Sequence, residues 1–150
     1  MSLPTYNSGG QANEVETYWF SGTDTLQAGY NLCFDVAASP TATDPRDRLG
    51  NIVIKPSTAS LNAYAGVVAP QSGGKTGPCF VDVITPKAGR FTTAYCNANA
   101  TAFSTALKPQ DASYALAAHS DSTLNLPMMG LAAETADTSS TAANKVIKFL

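Results

Sequence analysis

The side chains in this sequence that could carry out chemistry are few and far apart. The single histidine lies in Ala118-His119-Ser120-Asp121, so that serine, histidine and aspartate are neighbours in the chain. A catalytic triad needs three side chains that converge from separate elements, which adjacent residues do not readily do. We therefore interpret His119 as a loop or surface histidine without a catalytic role.

The three cysteines, Cys33, Cys79 and Cys96, form no C-x-x-C pair. This spacing excludes a zinc knuckle and a thioredoxin-type redox motif, and an odd number argues against a secreted disulfide framework. We interpret the three side chains as small buried apolar groups. The first residues also lack the basic start and apolar run of a signal peptide, so we expect synthesis in a reducing host cytoplasm.

Two further patterns suggest catalysis or phosphate binding only weakly. Residues 73–76 read Gly-Gly-Lys-Thr, like the end of a phosphate-binding loop, but Ala69 stands where that loop requires glycine. Asp35 and Asp82 could form a glycosidase pair, although acids on strands are more often solvated side chains. The acidic residues show no HExxH or EF-hand spacing. We predict no enzymatic activity, no metal site and no cofactor.

Length and charge restrict the possible partners. The chain has 150 residues, the usual size of one domain, and a net charge of −2. That charge provides no electrostatic attraction for nucleic acid or anionic lipid. The longest uncharged stretch, residues 56–74, is interrupted by Asn62 and Pro70, so it cannot span a membrane. We expect neither nucleic acid nor membrane as a partner.

The remaining pattern is typical of an all-β protein, because short β-branched or aromatic segments alternate with Pro- and Gly-containing turns. We predict a compact antiparallel β-sandwich or barrel with an extended N-terminal arm and at most one short helix. The predicted strands lie within Glu16–Phe20, Tyr30–Val36, Asn51–Lys55, Ala63–Ala69, Cys79–Thr85, Arg90–Cys96, Tyr114–Ala117, Met129–Ala132 and Lys145–Leu150.

Three local predictions follow from this pattern. The turn at residues 86–89 (Pro-Lys-Ala-Gly) should join Cys79–Thr85 and Arg90–Cys96 into a hairpin. Asn97–Leu107 is the one segment that could form a short helix. Alternation in Tyr30–Val36 places Asn31, Cys33 and Asp35 on one face, which we expect to be wet.

The similar words Cys-Phe-Asp-Val at residues 33–36 and Cys-Phe-Val-Asp-Val at residues 79–83 differ by one inserted residue. An internal repeat would keep the spacing of its strand residues, so we attribute this similarity to chance.

The chain divides into a polar, Gly-rich arm at residues 1–14 and a single β domain at residues 15–150. Leu3 and Tyr6 are the only sizeable apolar groups of the arm. Such a composition buries too little apolar surface to offset the entropy of ordering, so we expect the arm to become ordered only against a partner.

Several short sequence segments, taken in their order along the chain, resemble the small decoration or cement proteins that bind the outside of tailed-phage capsids. They are Gly22–Tyr30 followed by Leu32–Asp35, Lys55-Pro56-Ser57, Tyr64–Val68, Val81–Pro86, and Glu134–Thr141 before Lys145–Leu150. The resemblance implies a β-rich subunit, commonly trimeric, that sits on the capsid exterior at local threefold positions and clamps neighbouring copies of the major capsid protein. No motif fixes its contacts. Our candidate contacts to the capsid or to other subunits are Leu3, Tyr6, Tyr18 and Trp19.

Two other readings remain open. A pilin-like or adhesin subunit has a similar length and composition. A carbohydrate-binding module could present the rings of Tyr18-Trp19-Phe20 to sugars, although such rings more often anchor a core strand.

Overall fold

The computed structural model describes residues 14–37, 50–97, 106–119, 130–132 and 142–150. Within these ranges the chain forms strands and one short 3-10 turn, Pro70–Ser72, which confirms the all-β prediction. The strands are β1 (Val15–Phe20), β2 (Asn31–Phe34), β3 (Ile52–Ile54), β4 (Tyr64–Val68), β5 (Cys79–Ile84), β6 (Phe91–Cys96), β7 (Ala106–Pro109), β8 (Leu116–Ala118), β9 (Gly130–Ala132) and β10 (Ala143–Phe149).

Each predicted strand segment overlaps an observed strand, but β7 was missed. The predicted helix over Asn97–Leu107 is wrong at its C-terminal end, because Ala106 and Leu107 begin β7. Residues 98–105 lie outside the described residues.

The strands form two closed barrels that follow one another along the chain. The first barrel has the order β1-β3-β2-β4-β5, and the second has the order β6-β8-β7-β9-β10, each ring closing on its first member. In both rings the first and third strands in chain order are parallel and every other neighbouring pair is antiparallel. The two halves of the chain therefore have the same topology.

This equivalence extends to the strand register. Phe20 pairs with Val53 and with Cys79, as Cys96 pairs with Leu116 and with Ala143. The other neighbouring strands are paired in equivalent register as well. The pair Phe34–Val53 of the first barrel corresponds to Pro109–Leu116 of the second, Leu32–Gly66 corresponds to Leu107–Gly130, and Val67–Ile84 corresponds to Leu131–Lys148. The chain is thus an internal duplication of one five-stranded unit. The similar words at residues 33–36 and 79–83 play no part in it, because both lie in the first barrel, mainly on β2 and β5.

The predicted hairpin between Cys79–Thr85 and Arg90–Cys96 is wrong. In the first barrel β5 pairs with β1 and β4, whereas in the second barrel β6 pairs with β8 and β10. Ring closure uses both edges of each strand, so β5 and β6 have no edge left for each other. The turn at residues 86–89 instead connects the two barrels, and Gly89 N–H donates to the Phe149 carbonyl at 2.9 Å.

Two hydrophobic clusters fill the molecule. The interior of the first barrel contains fully buried side chains such as Phe20, Leu32 and Val81. A second cluster joins the interior of the second barrel to side chains of the first barrel, whose members include Cys33, Tyr64, Val67 and Ile84. The two barrels therefore share one continuous hydrophobic cluster.

This shared cluster corrects the prediction for β2. Alternation placed Asn31 and Cys33 on the face that was assigned to solvent, yet both are fully buried; for Cys33 this agrees with the interpretation of the cysteines as buried apolar groups. The alternation of the strand was read correctly, but the second barrel covers the face that was assigned to solvent.

Gly66 and its counterpart Gly130 mark a close approach that both barrels require. Gly66 has φ of +139°, and a Cβ at this position would overlap the Ile84 carbonyl oxygen. At Gly130 the added Cβ would lie 2.9 Å from the Lys148 carbonyl oxygen. We expect Gly66→Ala to lower the free energy of unfolding by more than about 1 kcal/mol in urea titrations.

The control for this substitution is Gly50→Ala. Gly50 also has a positive φ, +86°, but an added Cβ would meet nothing within 4 Å. An equal loss in both variants would contradict the steric argument.

Candidate interaction surface

The two barrels are joined by a buried polar side chain, that of Asn31. Its Nδ2 donates to the carbonyls of Tyr95 at 2.9 Å and Tyr114 at 2.7 Å, and its Oδ1 accepts from Tyr64 Oη at 2.7 Å. Its backbone N–H also donates to the Tyr114 carbonyl. The amide is therefore satisfied entirely by groups that lie far away in the sequence, two of them in the second barrel.

Three tyrosine rings extend this junction. Tyr30 stacks on Tyr114 with 4.6 Å between ring centroids and lies against Tyr95 at 5.2 Å. Tyr114 Oη donates to Asp24 Oδ2 at 2.8 Å, and Lys55 Nζ lies 4.9 Å from the Tyr114 ring centroid. Burial, followed by the hydrogen bond and the charge of Asp24, raises the pKa of Tyr114 well above its usual value. The Tyr114 hydroxyl thus remains a proton donor.

A cavity of about 150 Å³ lies between the barrels. Its lining comes from both, namely Ala28, Gly29, Val68, Pro70 and Ile84 from the first and Thr92, Thr93 and Asn144 from the second.

The residues singled out for possible chemistry do not come together. Among the described residues, no group of three or more His, Cys, Asp or Glu side chains could hold a metal ion. Asp35 accepts from the Ala37 backbone, and Asp82 accepts from Thr17 Oγ1 at 2.6 Å. Asp35 directly follows β2 and Asp82 lies on β5, and these two strands are not neighbours in the barrel.

His119 follows β8, and its backbone N–H donates to the Ala106 carbonyl. Its sequence neighbours Ser120 and Asp121 lie outside the described residues.

The segment 73–76 does not present its backbone donors as a phosphate cradle would. Gly74 N–H donates to the Leu26 carbonyl, and Lys75 N–H donates to the Ser72 carbonyl. Lys75 Nζ donates to the Phe80 carbonyl at 3.0 Å. These donors therefore form hydrogen bonds that stabilise the fold.

Two of the three cysteines are buried, as predicted, and Cys79 is partly exposed. Burial raises the pKa of the Cys33 thiol to about 12, against a small opposing effect of the hydrogen bond with Ser60. Cys33 is consequently a protonated packing residue.

The most exposed aromatic surface is an aromatic pair on the outer side of β1 and β5. Trp19 and Phe80 are directly opposite each other in the antiparallel register, with ring centroids 4.9 Å apart in an edge-to-face arrangement. Phe80 is 52% exposed, the largest value among the described large hydrophobic residues. Trp19, one of the predicted contact residues, is half-buried beside the exposed Phe80.

Tyr18 has a different environment. Its ring packs edge-to-face against Phe34 at 5.2 Å, and its hydroxyl donates to Glu16. Burial, then the hydrogen bond and charge of Glu16, raise the pKa of Tyr18 to about 12. Leu3 and Tyr6 lie outside the described residues.

Phe80 was missing from the predicted contacts. The alternation of Cys79–Thr85 placed it opposite the buried Val81 and Val83, which was the signal that could have identified it.

No protein-family model matches this chain, and no curated protein matches it significantly. In the described part of the chain, no helix has the length and apolar character needed to cross a membrane.

Replacement of Asn31 by alanine tests the polar junction. The variant removes the side-chain partner of the Tyr95 carbonyl and of the Tyr64 hydroxyl, and it removes one of the two donors to the Tyr114 carbonyl, so we expect a loss of at least about 2 kcal/mol in the free energy of unfolding. Denaturant titration measures it. Asn144→Ala is the control, since this exposed amide donates one bond to the Ala28 carbonyl at 3.3 Å and should cost under about 1 kcal/mol. Similar losses in both would contradict the central role of Asn31.

The raised pKa of Cys33 predicts a loss of stability in alkali. A thiol in the unfolded chain has a pKa of about 8.5, so above that pH the unfolded state releases a proton that the folded state retains. The contribution of Cys33 to stability should be fully present below this pH and should be lost as the pH rises towards the folded value of about 12. In urea titrations at several pH values, Cys33→Ala should show a shallower fall. An unchanged slope would exclude Cys33 as a source of the pH dependence.

Proposed function

We propose that this protein is a structural subunit of a virion, which binds the outer surface of an icosahedral phage capsid as a homotrimer and stabilises the shell. The sequence supports this function through the order of the short segments that resemble decoration proteins. The major capsid protein is then its principal partner, and the capsid exterior is its location.

The structural observation that supports the proposal most is the closure of both barrels. In the part of the chain that the structure describes, every strand of the two rings has a neighbour on both sides, so none of these strands offers an open edge to another chain. Pilin-like subunits that join by strand addition need an open edge. The two closed rings therefore favour a subunit that docks on a surface over one that polymerises by exchanging strands.

The aromatic pair also disfavours the carbohydrate-binding alternative. Sugar rings stack on open, flat aromatic faces. The rings of Trp19 and Phe80 instead meet at an interplanar angle of 69°, so together they form no flat platform.

Capsids assembled from the major capsid protein of the same phage provide the test. Purified protein should co-sediment with these capsids to saturation and should raise the temperature at which they disrupt. Binding only to the assembled state contributes about 2.7 kcal/mol per site when the free protein exceeds Kd a hundredfold. Equal survival of bare and coated capsids in a heat challenge would refute a stabilising role.

A variant that lacks residues 2–13 tests the predicted arm. It should bind capsids more weakly, while the thermal midpoint of the free protein stays nearly unchanged. His119→Ala is the matched control and should bind like the full chain. Undiminished affinity of the truncated protein would show that the arm does not contact the shell.

A further inference from the structure

The cavity between the two barrels has a buried floor and an exposed rim. Its floor is formed by the buried residues Gly29, Val68, Ile84 and Thr92. Its rim consists of the half-buried Ala28 and the exposed Pro70, Thr93 and Asn144. The exposed rim provides a route from solvent to the floor.

The floor contains a polar group with no role in the fold, the hydroxyl of Thr92. Thr92 is 4% exposed, and within the described ranges its Oγ1 is buried without a hydrogen-bond partner. Such groups are rare, because an unpaired buried hydroxyl loses the hydrogen bonds that it makes to water in the unfolded chain. A hydroxyl can donate one hydrogen bond and accept others. Thr92 therefore keeps its full hydrogen-bonding capacity at the cavity floor.

The alternation of β6 shows that Thr92 faces the junction of the barrels. Side chains two residues apart on a strand point the same way, so Thr92 shares a face with Ala94 and Cys96. These two residues pack in the hydrophobic cluster that contains Ile84 of the first barrel. Ile84 is also part of the cavity floor. The side chain of Thr92 is thus on the side of β6 that packs against the first barrel.

The lining determines the polarity of a ligand that would fit. Five of its eight residues have no polar side-chain atom, and none of the eight carries a charge; the five are Ala28, Gly29, Val68, Pro70 and Ile84. An ion would lose its hydration here without gaining a counter-charge, whereas an apolar group would lose nothing. The cavity therefore favours an uncharged and mainly apolar molecule.

The volume of the cavity sets the size of the ligand. At about 150 Å³ it is as large as a cavity that accommodates benzene. It far exceeds the roughly 10–15 Å³ that a single water requires, and each buried water needs two to four polar partners. The mostly apolar walls offer few such partners, so a benzene-sized molecule suits the cavity better than a group of waters.

We propose that this cavity is a binding site for a small, uncharged, mainly apolar molecule of about the size of a substituted benzene ring, whose single polar group forms a hydrogen bond with the Thr92 hydroxyl. The ligand contacts both barrels, so its binding also stabilises their relative position. The site is made by residues of one chain and does not depend on the proposed capsid function.

Phenol is the probe, because it combines a ring of suitable size with one hydroxyl. It should bind the full chain saturably at millimolar concentrations and should shift the NMR methyl signals of Ala28, Val68 and Ile84. The thermal midpoint should rise as the phenol concentration exceeds Kd, since the ligand binds only the folded state. Failure of phenol to bind saturably, or methyl shifts confined to residues outside the lining, would overturn the proposal.

Thr92→Val removes the hydroxyl and keeps the shape of the side chain. It should lower the affinity for phenol by about three- to tenfold relative to the affinity for benzene, because only phenol loses a hydrogen bond. Thr85→Val is the matched control. Thr85 is half-buried outside the cavity, and its hydroxyl donates to the Glu14 carbonyl at 3.4 Å. This control should bind phenol and benzene in the same ratio as the unmodified protein.

The stability of free Thr92→Val separates a ligand-binding hydroxyl from a structural one. The variant removes an unpaired buried group, so its urea midpoint should equal or exceed that of the unmodified protein. A clear loss of stability would show that the hydroxyl has a partner within the fold. That result, or an unchanged affinity ratio of phenol to benzene, would overturn the role of Thr92.

Ala28→Leu tests the cavity without altering the hydroxyl. The added carbon atoms occupy space at the rim, so phenol and benzene should both bind much more weakly. Undiminished binding of both would place the bound molecules elsewhere and would also overturn the proposal.

Discussion

One buried amide, that of Asn31, holds the two barrels in their relative position. Removing an amide from water is costly unless its donors and acceptor find partners, and Asn31 finds all of them through Tyr64, Tyr95 and Tyr114. These hydrogen bonds have a restricted geometry, whereas the surrounding hydrophobic contacts would tolerate small shifts. The shared hydrophobic cluster supplies the attraction between the barrels, and Asn31 selects one arrangement.

The strands could be predicted from the sequence, but their partners could not. Alternation along a strand reveals which side chains share a face, as it did for Phe80 and Val81, because successive side chains point to opposite sides. It does not reveal what covers each face. The polar Asn31 therefore suggested solvent, although its partners lie more than thirty residues away. Of the predicted contact residues, the structure describes Tyr18 and Trp19, and their role as contacts stays a prediction.

The duplication could not be predicted from the sequence either, because the two halves share few identical residues at equivalent positions. Identical counterparts include Leu32 with Leu107 and Gly66 with Gly130. Leu32 and Leu107 are fully buried, and both glycines lie where a strand passes close to a neighbouring carbonyl. Packing therefore accounts for these shared residues, whereas the outer residues Trp19 and Phe80 of the first barrel correspond to Tyr95 and Asn144 of the second.

The separation of the barrels along the chain affects how the protein can fold during synthesis. All five strands of the first barrel precede Thr85, so its ring can close before the ribosome has completed the second half. Until then Cys33, Val67 and Ile84 lack the packing that the second barrel provides. The nascent first half would therefore expose an apolar surface until its own second half packs against it. During this interval the same surface could bind a neighbouring chain instead.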